Sequence, residues 1–159
     1  MTDDRVSTLE AALEDASKSR ADLYRIFFAT IERRHGRDEA TSVLKEAVRE
    51  WGRGLGHGLK GLRVDELFES FATQPDGGKL FQPRVDRLDR DGFDVQFCGC
   101  PLKQRWEESG LSDQDIELFC EIAAEADYGT LEAGGFDVSI DLWKPGSSGC
   151  CYLKIRPAG

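Results

Sequence analysis

The sequence predicts an α+β fold: a helical N-terminal third, then helices packed on one face of a small antiparallel sheet. Three observations point there. Apolar residues recur at three- and four-residue steps as far as Ala72. From Phe93 onward, apolar and polar residues alternate in two separate stretches. The order of elements is helices, hairpin, helices, hairpin, with no internal repeat and no low-complexity tract. The chain reads as a single domain over 1–159, with a helical part over 1–75 and a sheet-and-helix part over 79–156.

The elements follow in order. Ser7 can cap a first helix, with Glu10 completing a capping box. Leu9, Leu13, Ala16, Arg20, Leu23, Phe27 and Ile31 then form its core-facing stripe, ending near Gly36. Asp38 can cap a second helix carrying Val43, Leu44, Ala47, Val48, Trp51 and Leu55. A short third helix spans about Val64 to Ala72, and Pro75-Asp76-Gly77-Gly78 breaks it. Leu80 to Leu88 reads as a strand that Pro83 marks as an edge or a bulge. Asp89-Arg90-Asp91-Gly92 is a hairpin signal, and Phe93, Val95 and Phe97 form the inward side of the next strand. Pro101 opens a helix to about Ser109. A long helix runs from Asp113 to about Glu132, closed by Gly134-Gly135. Phe136, Val138, Ile140 and Leu142 alternate as a third strand, and Cys150 to Ile155 forms the last.

Composition narrows the function classes. The chain has 159 residues, 30 Asp and Glu against 21 Lys and Arg, and a net charge of −9. A surface this acidic repels phosphate backbones, and no basic run compensates, so nucleic acid is excluded as a partner. No apolar run is long enough to span a bilayer, so no membrane partner is expected. Met1-Thr2-Asp3-Asp4-Arg5 has no hydrophobic signal region, which points to the cytoplasm and reduced thiols. Nothing in the sequence sets an oligomeric state.

Five cysteines are the feature to explain: Cys98, Cys100, Cys120, Cys150 and Cys151. Cys100 immediately precedes a helix, whose dipole favours a thiolate and hence a nucleophile. The structural alternative is a small buried hydrophobe. On the long helix, Ile116, Cys120, Ala123 and Asp127 share one stripe, which puts Asp127 on the buried side. A carboxylate there needs a partner or takes a raised pKa, as general acids and bases do. The alternative is a carboxylate tied to a neighbouring loop. Arg20 sits on the core stripe of the first helix, where it pairs with Asp127, binds a substrate carboxylate, or snorkels to water. The cysteines lack a CxxC…CxxC spacing, and an alternating strand puts Cys150 and Cys151 on opposite faces, so no metal or other cofactor is expected. His57, in the glycine-rich stretch Gly52 to Gly61, reads as solvated, and the stretch is no phosphate loop.

Cys100-Pro101-Leu102, Trp106, Gly110-Leu111, Cys120, Asp127-Tyr128, Gly146, Cys150 and Tyr152 follow in this order within Phe93 to Ile155. With this ordered set the second half resembles the L-2-amino-thiazoline-4-carboxylic acid hydrolase family. Cys98 and Cys151 are additions to that pattern. The resemblance implies a hydrolase acting on a small-molecule substrate: water adds to a cyclic amidine at the carbon between sulfur and nitrogen, and the ring opens. Cys100, Asp127 and Cys120 would then be catalytic, and Cys150, Trp106 and Arg20 would bind substrate. A related ring-opening or rearrangement fits equally. The alternatives from other classes are a non-catalytic domain sensing a small molecule, thiol oxidants or metal, and a structural zinc module.

Overall fold

The computed structural model describes the backbone of residues 2–159 and the side chains of residues 4–159. Five α-helices carry most of the chain: α1 Thr2–His35, α2 Arg37–Gly56, α3 Val64–Phe68, α4 Pro101–Glu108 and α5 Asp113–Gly134. The strands are β1 Pro83–Asp89, β2 Gly92–Phe97, β3 Phe136–Asp141 and β4 Tyr152–Pro157. They form one antiparallel sheet in the order β1-β2-β4-β3. The predicted α+β architecture is therefore the observed one. β1 is an edge strand and carries a register irregularity between Val85 and Arg87, so Pro83 costs no ladder bond in a central strand.

Strand alternation gives the sheet its two faces. Phe93, Val95, Leu153 and Ile155 are buried on one side, with Phe136. Leu59, Val64, Leu67 and Leu131 pack onto them from the helices. A second cluster joins Ala21 and Phe28 of α1, Leu44 and Val48 of α2, Trp106 of α4 and Phe119 of α5. Trp106 donates through Nε1 to the Ala21 carbonyl at 3.0 Å, and Arg105 grips Asp22 in a fork at 3.0–3.1 Å. These contacts hang α4 on α1. Replacing Trp106 by Phe removes the bond and leaves a void where the second ring of the buried indole stood; urea melts should show a loss of about 2–4 kcal/mol.

The glycine-rich stretch has a packing cause. On α2, Ala40, Leu44, Val48, Gly52 and Gly56 recur every four residues on the buried side. Gly52 and Gly56 lie against Ala126 and Thr130 of α5, and Gly129 of α5 lies against Arg49. A Cβ on Gly52 would stand 2.3 Å from the Ala126 carbonyl oxygen, and one on Gly129 would stand 2.2 Å from that of Arg49. The Thr130 hydroxyl donates to the Gly52 carbonyl at 3.1 Å across this contact. Lys45–Glu121, Arg49–Glu125 and Arg49–Glu132 ion pairs line its rim.

Several local expectations are corrected. α1 begins at Thr2, so Ser7 is internal and caps nothing. Its predicted stripe lies partly outward: Leu9 is 61% exposed and Phe27 55%, while Ala21 and Phe28 face inward. Docking of α4 at Ala21, not the helix's own periodicity, chooses that face. Gly36, at φ 92°, precedes α2, and Asp38 makes no cap; on the same helix Val43, Trp51 and Leu55 are exposed. The segment before Pro83 is a turn, in which Asp76 accepts from the Gly78 and Leu80 amides. β4 starts at Tyr152, so Cys150 and Cys151 lie in the preceding loop.

Candidate active site

A cavity of about 640 Å³ opens between the two core clusters. All six residues singled out from the sequence line it: Arg20, Cys100, Trp106, Cys120, Asp127 and Cys150. α1 delivers Arg20, α4 delivers Cys100 at its N-cap and Trp106 nearly two turns on, α5 delivers Cys120 and Asp127, and the loop before β4 delivers Cys150.

Cys100 is held in a setting that favours its thiolate. Pro101 occupies the first turn of α4, and the Lys103 amide donates to the Cys100 sulfur at 3.5 Å. A hydrogen bond from the Cys150 thiol lowers the Cys100 pKa most, and the Lys103 and Leu102 amides lower it further. Burial and the Asp127 charge oppose this, and the thiol settles at about 7. Cys150 is driven the other way, its proton retained by hydrogen bonding with Cys100, Cys120 and Cys151. The Cys150 and Cys151 sulfurs stand 3.5 Å apart. The opposite-face placement expected of them is thus overturned, because a loop does not alternate as a strand does.

Asp127 projects into the cavity from α5. It is half-buried in the cavity wall. Burial pushes its carboxyl up to about 7, against the attraction of Arg20. Among the described residues no hydrogen bond or ion pair reaches that carboxyl, so the two partners have electrostatic contact without a closed salt bridge. The Arg20 guanidinium lies 5.1 Å over the Trp51 ring, and its Nε is buried without a hydrogen-bond partner. Arg20 thus turns toward the cavity instead of snorkelling outward. Trp106 is 1% exposed and offers the cavity only a little of its ring.

Cys98 is exposed, outside the cavity. Cys151, Trp51, Phe71 and Phe97 line it and were not singled out from the sequence. Only the vicinal position of Cys151 hinted at it; the aromatic residues carry no local signal distinct from core. Among the described residues no group of three or more His, Cys, Asp or Glu is arranged to hold a metal ion. No helix among them is long and apolar enough to cross a membrane.

Fold and site together define a small α+β protein with a thiol- and carboxyl-lined cavity between helices and sheet. Residues 17–139 match the sequence profile described as L-2-amino-thiazoline-4-carboxylic acid hydrolase. The chain belongs to that family. The match takes in the second half of α1 and all of α2, beyond the segment on which the resemblance rested, and stops short of Cys150. No curated protein matches the sequence. Among solved structures, a trafficking protein particle complex subunit 3 from Naegleria fowleri, covalently bound to palmitic acid, has a similar fold. The TM-score is 0.58 at 15% identity, over 91% of this chain and 96% of that one.

Proposed function

We propose that this chain opens the ring of a small cyclic amidine of the thiazoline class, with Cys100 as nucleophile and Asp127 as proton carrier. The carrying observation is that a thiol held down at about 7 and a carboxyl pushed up to about 7 face one cavity. The Cys100 thiolate bonds to the amidine carbon, and the bond from that carbon to the ring sulfur breaks. The departing sulfur takes the proton of Asp127. The Asp127 carboxylate then takes a proton from water, and the hydroxide adds to the same carbon. Collapse expels the Cys100 thiolate, and the hydroxyl proton passes to nitrogen, leaving a carbamoyl product. One water is consumed, and both groups return to their starting states. Cys150 donates to the nucleophile, Cys120 orients Cys150, Trp106 floors the ring, and Arg20 pairs with a substrate carboxylate.

Cys100→Ser and Asp127→Asn each should lower kcat/KM on 2-amino-thiazoline-4-carboxylate by at least about 100-fold. Full turnover in either folded variant rules out that residue's role. The rate should follow a bell centred near pH 7. It rises as Cys100 ionises and falls as Asp127 loses the proton it must donate. A flat profile from pH 5 to 9 contradicts the pairing.

The hydrogen bonding of Cys150 with three other thiols favours a second reading, thiol-based sensing. Peroxide would convert the Cys100 thiolate to a sulfenic acid, which Cys150 would resolve as a disulfide with release of water. A mass loss of two hydrogens on peroxide treatment, with no turnover of any thiazoline, selects this reading.

A further inference from the structure

We propose that the ligand of this cavity is amphipathic: an anionic, reactive head at Arg20 and Cys100 and an unbranched apolar tail of roughly ten carbons. The inference rests on the proposed ring-opening site for its head and on the rest of the cavity for its tail.

Size is the first argument. An amino-thiazoline carboxylate has roughly nine heavy atoms. Even at the roughly 30 Å³ that a water molecule occupies in the liquid, it fills less than half of the available space. The cavity has about 640 Å³, so the remainder has room for roughly ten to twelve methylenes on the same scale.

Lining is the second argument. Leu55, Leu59, Phe71, Ala72 and Phe97 make much of the remaining wall apolar, with Ser70, Gln74, Asp76 and Thr130 as its polar members. Leu59 and Phe97 belong to the sheet-side core cluster, so the cavity touches both clusters. Water in such a space finds few polar partners, and an alkyl chain displaces it favourably.

Charge is the third. Among the described residues Arg20 is the only Lys or Arg lining the cavity, and its Nε has no partner. A planar guanidinium with an unused donor suits a carboxylate. Asp127 repels an anionic head only when ionised, and burial keeps it largely protonated below pH 7; Asp76, the other carboxyl on the wall, is engaged by the Gly78 and Leu80 amides.

Calorimetric titration at pH 6.5 with butanoate, hexanoate, octanoate and decanoate tests this. Affinity should rise roughly fourfold per methylene, so decanoate should bind at least 50-fold tighter than hexanoate. Decylamine should bind at least tenfold weaker than decanoate, and Arg20→Gln should erase that preference. Leu55 is 50% exposed, so Leu55→Asn spares the fold; it should weaken decanoate at least fivefold and leave hexanoate unchanged. Affinity independent of chain length in the unmodified protein overturns the inference whatever the variants do. Chain-length dependence without turnover of any thiazoline leaves the tail site standing and removes the ring-opening reading. Turnover without chain-length dependence does the reverse.

Discussion

Gly52→Ala and Gly129→Ala should each cost about 3 kcal/mol or more and lower Tm by roughly 10 °C. In both, the new methyl group meets a backbone carbonyl of the opposing helix, at 2.3 and 2.2 Å respectively. Backbone cannot rotate away as a side chain can, so α2 and α5 must separate. Separation breaks the Thr130–Gly52 hydrogen bond and loosens the apolar contacts along the whole pair. Gly54 on the same helix is the control, because nothing lies within 4 Å of its Cβ position. Gly54→Ala should stabilise by about 0.5–1 kcal/mol, through helix propensity alone. Thermal melts of the three variants decide the matter. Equal shifts at positions 52 and 54 would show that the helices do not need to touch backbone to backbone.

The second large effect concerns Asp127. Its carboxyl is raised from an ordinary 3.8 to about 7 in the folded chain. A raised acid binds more protons folded than unfolded, so the fold loses stability as pH climbs from about 4 to about 7. Above 7 the loss is complete, and at 1.36 kcal/mol per unit it reaches roughly 4 kcal/mol. Asp127→Asn removes that penalty, because a neutral amide has no charge to bury. The variant should therefore be more stable than the parent by roughly 4 kcal/mol at pH 8, with little difference at pH 4. Urea denaturation at both pH values measures this. A residue that gains stability when neutralised while turnover disappears is held in place by function, not by folding. Parallel pH–stability curves in parent and variant would show that the carboxyl is solvated after all.

Much of the lining of the candidate site was legible in the sequence because its parts lie on regular elements. Cys120 and Asp127 are seven residues apart on one helix, and two helical turns put them on the same face. Cys100 before Pro101 announces a helix N-cap, and the cap is observed. The switch from a period of three to four to a period of two located β2 and β3, and Pro83 on β1 revealed an edge. Ser7 and Asp38 misled because capping residues also occur inside helices. Which of several capping candidates is used depends on where the helix can be stabilised from outside.

Five cysteines in an acidic chain, a buried-side aspartate and the fold class were determined by the sequence alone, since each is a matter of composition or period. The partners of those residues were decided only by tertiary structure. Leu9 and Phe27 fit the stripe of α1, yet the choice between that face and the one bearing Ala21 and Phe28 required α4 to dock. Cys150 and Cys151 meet because they fall in a loop, where alternation no longer sorts side chains between faces. The glycines at 52 and 56 acquire meaning only opposite Ala126 and Thr130, more than seventy residues away in the chain. Periodicity is a local property of one chain segment. Burial, pKa and cavity shape are properties of surfaces brought together, and those surfaces exist only once the chain has folded.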